Sequence, residues 1–179
     1  PYMFDLRDKK CLNSFKNRKN LLFVGGFIHR PNYDAMTWFL DEIFPKILEK
    51  VKDIKIIVVG SNIPEDIKKR ENNNIVIKGF LTDSDLGKLY LECKMVIVPL
   101  RYGAGIKGKV VEAMYNGVPV VTTEIGIEGL NSSKEIAIIA NESNEFASKV
   151  VEYYDNNEYL EKLALNGIKY INENYTYEV

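Results

Sequence analysis

A chain of 179 residues has room for one ordinary domain, or slightly more, at the usual size of about 100–200 residues each. Its composition, 46% hydrophobic and 27% charged, excludes a disordered or fibrous chain. With 24 Lys and Arg against 25 Asp and Glu, the net charge of −1 argues against a dedicated nucleic-acid binder, which normally carries a basic surplus.

Residues 1–19 are polar and irregular and read as a linker from another domain, with residues 20–179 forming the folded unit. The chain starts at Pro1 without an initiator Met or a signal peptide and reads as a fragment. A β-branched, apolar run, Leu21-Leu22-Phe23-Val24, ends in Gly25-Gly26 and predicts a first strand. From Asn32 to Lys50 the spacing of Ala35, Phe39, Ile43 and Ile47 predicts one long amphipathic helix, its apolar stripe widened by Trp38 and Leu40. Ile54–Val59 is a strand of buried type closed by Gly60-Ser61-Asn62, and Pro64–Glu71 a short helix opened by proline. Ile75–Ile77 is a third strand closed by Gly79. Thr82 with Asp83 and Asp85 caps a helix running to Glu92. Met95–Leu100, Val118–Val121 and Ile136–Ala140 are three further strands, and Lys107–Asn116 is a helix stopped by Gly117. Two amphipathic helices, Asn144–Tyr154 and Asn157–Asn174, close the chain.

Continuous apolar strands alternating with helices predict an α/β fold, a doubly wound parallel sheet of about six strands with helices on both faces. Ligands of such sheets sit beyond the carboxyl ends of the strands, so the loops at Gly25, Gly60, Gly79, Leu100 and Thr122 are the ones to inspect.

Several chemistries lack the residues they need. No apolar run approaches the about 20 residues of a spanning helix. Cys11 and Cys93 are too few for a disulfide scaffold or a zinc cluster and fit a reducing compartment, and Cys93 reads as core. His29 is the single histidine, which leaves little material for a metal centre or a Ser-His-Asp triad. The first turn, Gly25-Gly26-Phe27-Ile28-His29-Arg30, lacks G-x-G-x-x-G, and the second strand ends without an acidic residue, so NAD is not expected. Gly103–Lys109 matches a P-loop until its last position, where Val110 stands in place of the hydroxyl that would meet Mg²⁺.

What remains is a set of charges around one helix start: Arg101, Lys107, Lys109 and Glu112. A cation in the first turn of a helix opposes the macrodipole by about 0.3–1 kcal/mol, which an anion docked there would offset. Solvated surface lysines are the competing reading.

The run Pro99-Leu100-Arg101-Tyr102-Gly103-Ala104-Gly105-Ile106-Lys107-Gly108-Lys109-Val110-Val111-Glu112-Ala113-Met114, continuing through Gly117-Val118-Pro119-Val120-Val121, resembles the nucleotide-sugar segment of retaining GT-B glycosyltransferases of group 1. Phe23-Val24-Gly25-Gly26 with Pro31-Asn32, Val58-Val59-Gly60, Ile77-Lys78-Gly79-Phe80 and Gly126-Ile127-Glu128-Gly129-Leu130 resemble other parts of a capsule and lipopolysaccharide branch of that family. The resemblance covers about residues 20–175 and implies the C-terminal, donor-binding Rossmann-like half of such an enzyme. The N-terminal acceptor domain would belong to the full-length protein.

The resemblance implies that Glu112 hydrogen-bonds the ribose hydroxyls, a role that suits a carboxylate able to accept from both. Lys107 and Lys109 would meet the diphosphate and stabilise the leaving group without a metal, and no separate cofactor is implied. The backbone at Gly79, Phe80 and Leu81 would bind the base. Gly25, Gly26, Arg30, Gly105 and Ile106 would complete the donor site. Three positions depart from the family pattern: Ala104 stands where a sugar-contacting glutamate is common, and Gly26 and Pro31 stand where Arg and Lys are common. Phosphate binding would then rest on Lys107, Lys109 and Arg30.

The implied activity is hexose transfer from a nucleotide diphosphate sugar, of UDP or GDP type, to a glycan or glycolipid acceptor of the cell surface. Its place would be cytoplasmic, at the inner face of the membrane in the intact enzyme, with no nucleic-acid partner. The alternatives are half of a nucleotide-sugar epimerase of the same fold and a flavodoxin-like binding module without catalysis. His29 and Tyr102 read either as site residues or as turn residues. Tyr153, Tyr154, Tyr159 and Tyr170 are expected to form packing surface, turned towards a second domain.

Overall fold

A computed structural model describes residues 3–7, 14–131 and 133–176. Six parallel strands are present: β1 (Leu21–Val24), β2 (Ile56–Val59), β3 (Ile75–Lys78), β4 (Met95–Val98), β5 (Val120–Thr122) and β6 (Ile138–Ile139). Their order across the sheet is β3-β2-β1-β4-β5-β6. This is the doubly wound arrangement expected from the alternation of strands and helices. The register pairs Leu21 with Ile56 on one side of β1 and with Met95 on the other. Every residue of β4 and β5 is buried, which is why these strands read as unbroken apolar runs and not as alternating ones.

The helices are α1 (Arg30–Trp38), α2 (Phe44–Lys50), α3 (Glu65–Lys68), α4 (Asp83–Glu92), α5 (Gly108–Tyr115), α6 (Glu124–Ile127), α7 (Ser133–Ile136), α8 (Ser143–Tyr154) and α9 (Asn157–Asn174). α2 packs on α8 and α5 on α9, on opposite faces of the sheet. Trp38 and Phe39 set their rings edge-on to Phe146 at centroid distances of 6.4 and 6.2 Å, tying α8 to the first face. Among the described residues no helix is long and apolar enough to cross a membrane.

The expected single helix from Asn32 to Lys50 is interrupted. Residues Phe39–Ile43 form a π-helical stretch between α1 and α2. Pro45 supplies the reason, because it has no N–H for the Asp41 carbonyl and its ring crowds that turn. Two short helices, α6 and α7, form between β5 and β6, and Ile136, expected to open the sixth strand, ends α7, leaving β6 only Ile138–Ile139. α6 is held by Thr123, whose hydroxyl accepts from the Gly126 N–H at 3.2 Å.

Residues 1, 2 and 8–13 of the segment read as a linker, with Cys11, lie outside the described residues. Its described parts pack on the domain. Phe4 stacks on Tyr115 at 4.4 Å and bridges to Thr176, while Phe15 and Arg18 are buried. The Arg18 guanidinium lies 4.2 Å from the Phe15 ring centroid and donates to the Gly117 carbonyl at 3.1 Å.

The tyrosines of the last two helices do not form an outward face. Tyr153 and Tyr159 stack on each other at 4.4 Å. The Tyr154 hydroxyl accepts from the Asn20 N–H at 2.9 Å and that of Tyr170 from the Asn131 N–H at 3.0 Å. Of the large exposed apolar side chains, Ile28, Phe80, Tyr102 and Ile106 stand in turns that follow strands β1, β3 and β4, while Tyr33 lies in α1 and Met3 and Leu6 in the N-terminal segment. Cys93 is core, and burial pushes its thiol up to about 12.

The turns after β1 and β2 touch backbone to backbone. Gly25 donates its N–H to the Val59 carbonyl at 2.9 Å, and a Cβ at Gly60 would overlap the Gly25 carbonyl. No side chain can yield there, so Gly60→Ala is expected to cost about 1–3 kcal/mol or more, as overpacking does. Urea denaturation should show a lowered midpoint for Gly60→Ala and a raised one for Gly87→Ala, whose Cβ meets open space in the middle of α4, where alanine is favoured over glycine by about 0.5–1 kcal/mol.

Candidate functional site

The strand order reverses between β1 and β4, and the chain leaves these neighbours towards opposite faces. The crevice so formed is bounded by the β1–α1 turn on one side and by the β4–α5 loop on the other. Gly25 and Gly26 lie in the first turn. Arg30 is the first residue of α1 and is exposed, as is His29, whose side chain makes no capping bond. In the second loop Gly103 and Gly105 adopt φ of +123° and +77°, a left-handed region that glycine enters without strain. Ile106 is exposed, Lys107 caps α5 through its backbone, and Val110 at the P-loop-like position is buried in the core.

Lys109 crosses the crevice. Its amine donates to Asn32 Oδ1, in the first turn of α1, and sits 4.5 Å from the centroid of the Phe23 ring. Asn32 Nδ2 in turn donates to the Gly26 carbonyl at 2.7 Å. A Cβ at Gly25 would stand 2.8 Å from both Asn32 Nδ2 and Lys109 Nζ, so a glycine there makes room for the cluster. None of the ion pairs among the described residues includes Lys109. Burial without a paired carboxylate brings its amine down to about 7, with the charge of Glu112 opposing that fall.

Glu112 is half-buried one turn further along α5. Burial raises its carboxyl above the usual range, the charge of Asp83 adds to the rise, and Lys109 acts against it. The sequence placed Lys109 and Glu112 in one site, and the structure brings them to the same end of the sheet, each acting electrostatically on the other.

Lys107 is bonded within its own loop and to Glu128. Its amine donates to the Gly105 carbonyl and lies 3.4 Å from Glu128 Oε2, which also accepts from the Gly105 N–H at 3.1 Å. Glu128, from the loop after α6, thus ties Lys107 and the Gly105 N–H together. Arg101 turns away from both lysines. It forms a two-point ion pair with Asp34, at 2.9 and 2.5 Å, and lies 5.4 Å from the Trp38 ring centroid.

Gly79, Phe80 and Leu81 lie two strands from β1, at the end of β3. They are joined to the crevice through β2: Gly60 donates its N–H to the Gly79 carbonyl at 3.4 Å, and Phe27 donates to the Ser61 carbonyl at 3.0 Å. Gly60, Ser61, Asn62, Ile77, Gly79 and Phe80 line part of a depression of about 500 Å³. Phe80 is 81% exposed and Leu81 half-buried against the core. Ala104 is exposed and carries no polar group. The described residues contain no group of three or more His, Cys, Asp or Glu arranged to hold a metal ion.

Asn32, Glu128 and Asp34 were not recognised as partners from the sequence. Asn32 and Glu128 stood inside the motifs noted there, but nothing in a linear pattern pairs residues 77 or 21 positions apart.

Comparison with known proteins places this geometry. The sequence model described as "Glycosyl transferases group 1" matches residues 18–156. An uncharacterised 44.6 kDa protein of the cps region of Klebsiella pneumoniae is 32% identical over 164 residues, covering 87% of this chain and 42% of that protein. The chain thus spans less than half the length of that relative. Among solved structures, the C-terminal domain of a group 1 family glycosyl transferase (LpcC) from Francisella tularensis superposes with a TM-score of 0.72 at 19% identity, covering 99% of this chain and 97% of that one. Anabaena HepE in complex with UDP-glucose superposes with a TM-score of 0.73 at 16% identity, over 97% of this chain and 52% of that chain. These structural likenesses show the fold.

The buried amine makes stability depend on pH with a defined sign. Its folded value, about 7, lies below the about 10.4 of an unfolded lysine, so between these limits the unfolded chain binds more protons. Lys109 therefore contributes a rise in stability as pH increases from about 7. Above about 9 the raised Cys93 thiol acts in the opposite direction, so the window to measure is about 7 to 8.5. Thermal unfolding across that window should show a positive slope that is smaller in Lys109→Met.

Proposed function

Because the chain belongs to the group 1 glycosyltransferase family, we propose that it is the donor-binding domain of a retaining GT-B enzyme that takes a hexose from a nucleotide diphosphate sugar. The observation that carries this reading is the meeting of Lys109, Asn32 and the Gly25-Gly26 turn at the point where the strand order reverses, with Glu112 one turn along α5 acting on Lys109 electrostatically. The diphosphate would lie across the crevice between the starts of α1 and α5, where Gly25 permits close approach and Lys109 and Lys107 supply positive charge. As the glycosidic bond breaks, charge grows on the departing diphosphate. Two ammonium groups fixed beside it would stabilise that charge more than the ground state.

Glu112 would receive the ribose hydroxyls, and the depression along Gly60 and Gly79–Phe80 is large enough for the base. The complex of HepE with UDP-glucose supports a nucleotide sugar as the ligand class, and the cps-region relative supports a role in surface polysaccharide assembly. The acceptor, a glycan or glycolipid, would be held by an N-terminal domain of the full-length protein at the cytoplasmic face of the membrane. The exposed Ile28, Phe80, Tyr102 and Ile106 would line the cleft between the domains.

Titration of the isotope-labelled chain with UDP, GDP, ADP and NADH, followed by amide shifts, tests the reading. One nucleoside diphosphate should move Gly79–Leu81 and Lys107–Glu112. Loss of the carboxylate in Glu112→Ala should weaken that binding at least about tenfold, the scale of a lost charge-assisted contact. Silence towards all four ligands in a folded sample would refute the assignment of the site.

A further inference from the structure

Asn32 is a buried polar side chain, 5% exposed, in the first turn of a helix whose start carries no acidic residue. Its amide is oriented by chemistry. An ammonium group has only donors, so the oxygen of Asn32 faces Lys109, and the nitrogen is left to donate to the Gly26 carbonyl at 2.7 Å. One side chain therefore joins a cation from α5 to the backbone of the turn after β1, across the crevice between them. The amine it holds has the Phe23 ring on another side and, among the described residues, takes part in no ion pair. Lys109 has three N–H donors, and Asn32 accepts one of them, which leaves capacity for an incoming oxyanion.

We propose that Asn32 is a positioning residue of the donor site, one that aims the Lys109 ammonium into the crevice and ties it to the Gly25-Gly26 turn so that both meet the diphosphate as one unit. The inference rests on the donor-domain reading. A neutral amide suits this task better than a carboxylate. Aspartate in the same place would neutralise the ammonium before the diphosphate arrived, and could not donate to Gly26. The charged group acting on Lys109 is Glu112 of its own helix, while β1 and α1 present a ring, glycines and the neutral Asn32 to it.

The test is the pH profile of UDP (or GDP) binding, measured by calorimetry on the whole chain between pH about 7 and 8.5, where the terminal phosphate, with its second ionisation near 6, is already dianionic. In the wild type, affinity should fall as pH rises, because Lys109, at about 7 when the site is empty, must take up a proton to pair with the ligand. Lys109→Met should bind at least about tenfold more weakly and lose that slope. Asn32→Asp and Asn32→Ala, each checked for a folded amide spectrum, should reproduce both effects, with Asn32→Asp the weaker binder.

Retention of the wild-type affinity and slope in both Asn32 variants would overturn the inference while leaving the donor reading in place. Weakened binding with the wild-type slope preserved would also overturn it, since that is the signature of a residue that only packs. A wild-type chain that binds neither nucleotide would overturn the donor reading and this inference with it.

Discussion

At the reversal of strand order, two neighbouring parallel strands must send the chain to opposite faces of one sheet. The rest of the site follows from that divergence. The β1–α1 turn and the β4–α5 loop cannot cover each other, so a crevice opens above β1 and β4 and has to be spanned by side chains. Lys109 and Asn32 span it here, from helices on opposite faces. The crevice holds its shape because the turns beside it are pinned through backbone alone, with the carbonyl of Gly25 lying where a side chain at Gly60 would be. Those glycines set how near a ligand can come to the main chain.

Electrostatics at the crevice are unbalanced in a way that suits an anionic ligand. Lys109 is half-buried, its amine set against a ring and an amide, and that desolvation lowers its affinity for a proton. Glu112 is displaced in the opposite sense by burial and by Asp83, so each charge is costly in the empty site. The exposed pairs have no comparable effect. Arg101 with Asp34 and Lys107 with Glu128 are largely solvated on at least one side, where ion pairs contribute at most about 1 kcal/mol. Glu128 matters for a different reason, since it accepts from the Gly105 N–H and lies beside the Lys107 amine, tying the β4–α5 loop to the end of α6.

Four of the large apolar side chains left in water support the same geography. Ile28, Phe80, Tyr102 and Ile106 come from three different turns, yet all follow the carboxyl ends of strands. The tyrosines of α8 and α9, by contrast, are used inside the domain, stacked or bonded to the backbone of Asn20 and Asn131. Counting aromatic residues along a helix does not reveal which of them face outward, because the partner that covers them comes from a distant segment.

Read alone, the sequence determined the six parallel strands, the double winding and the stretch that carries Lys107, Lys109 and Glu112. Those features are written in local terms: apolar runs of strand length, glycine at turns, and charges at a helix start. Local patterns also hid one feature that was present in them. Pro45 breaks the helical ladder after Phe39, but the apolar spacing runs on through it and predicts a continuous helix. Only the tertiary structure decided which cation faces the crevice and which is tied elsewhere. Asn32 and Lys109 are 77 residues apart, and Arg101 and Asp34 are 67 apart. Their pairing depends on where the sheet brings two loops together and on what burial leaves each charge to bond with, and neither is a property of neighbours along the chain.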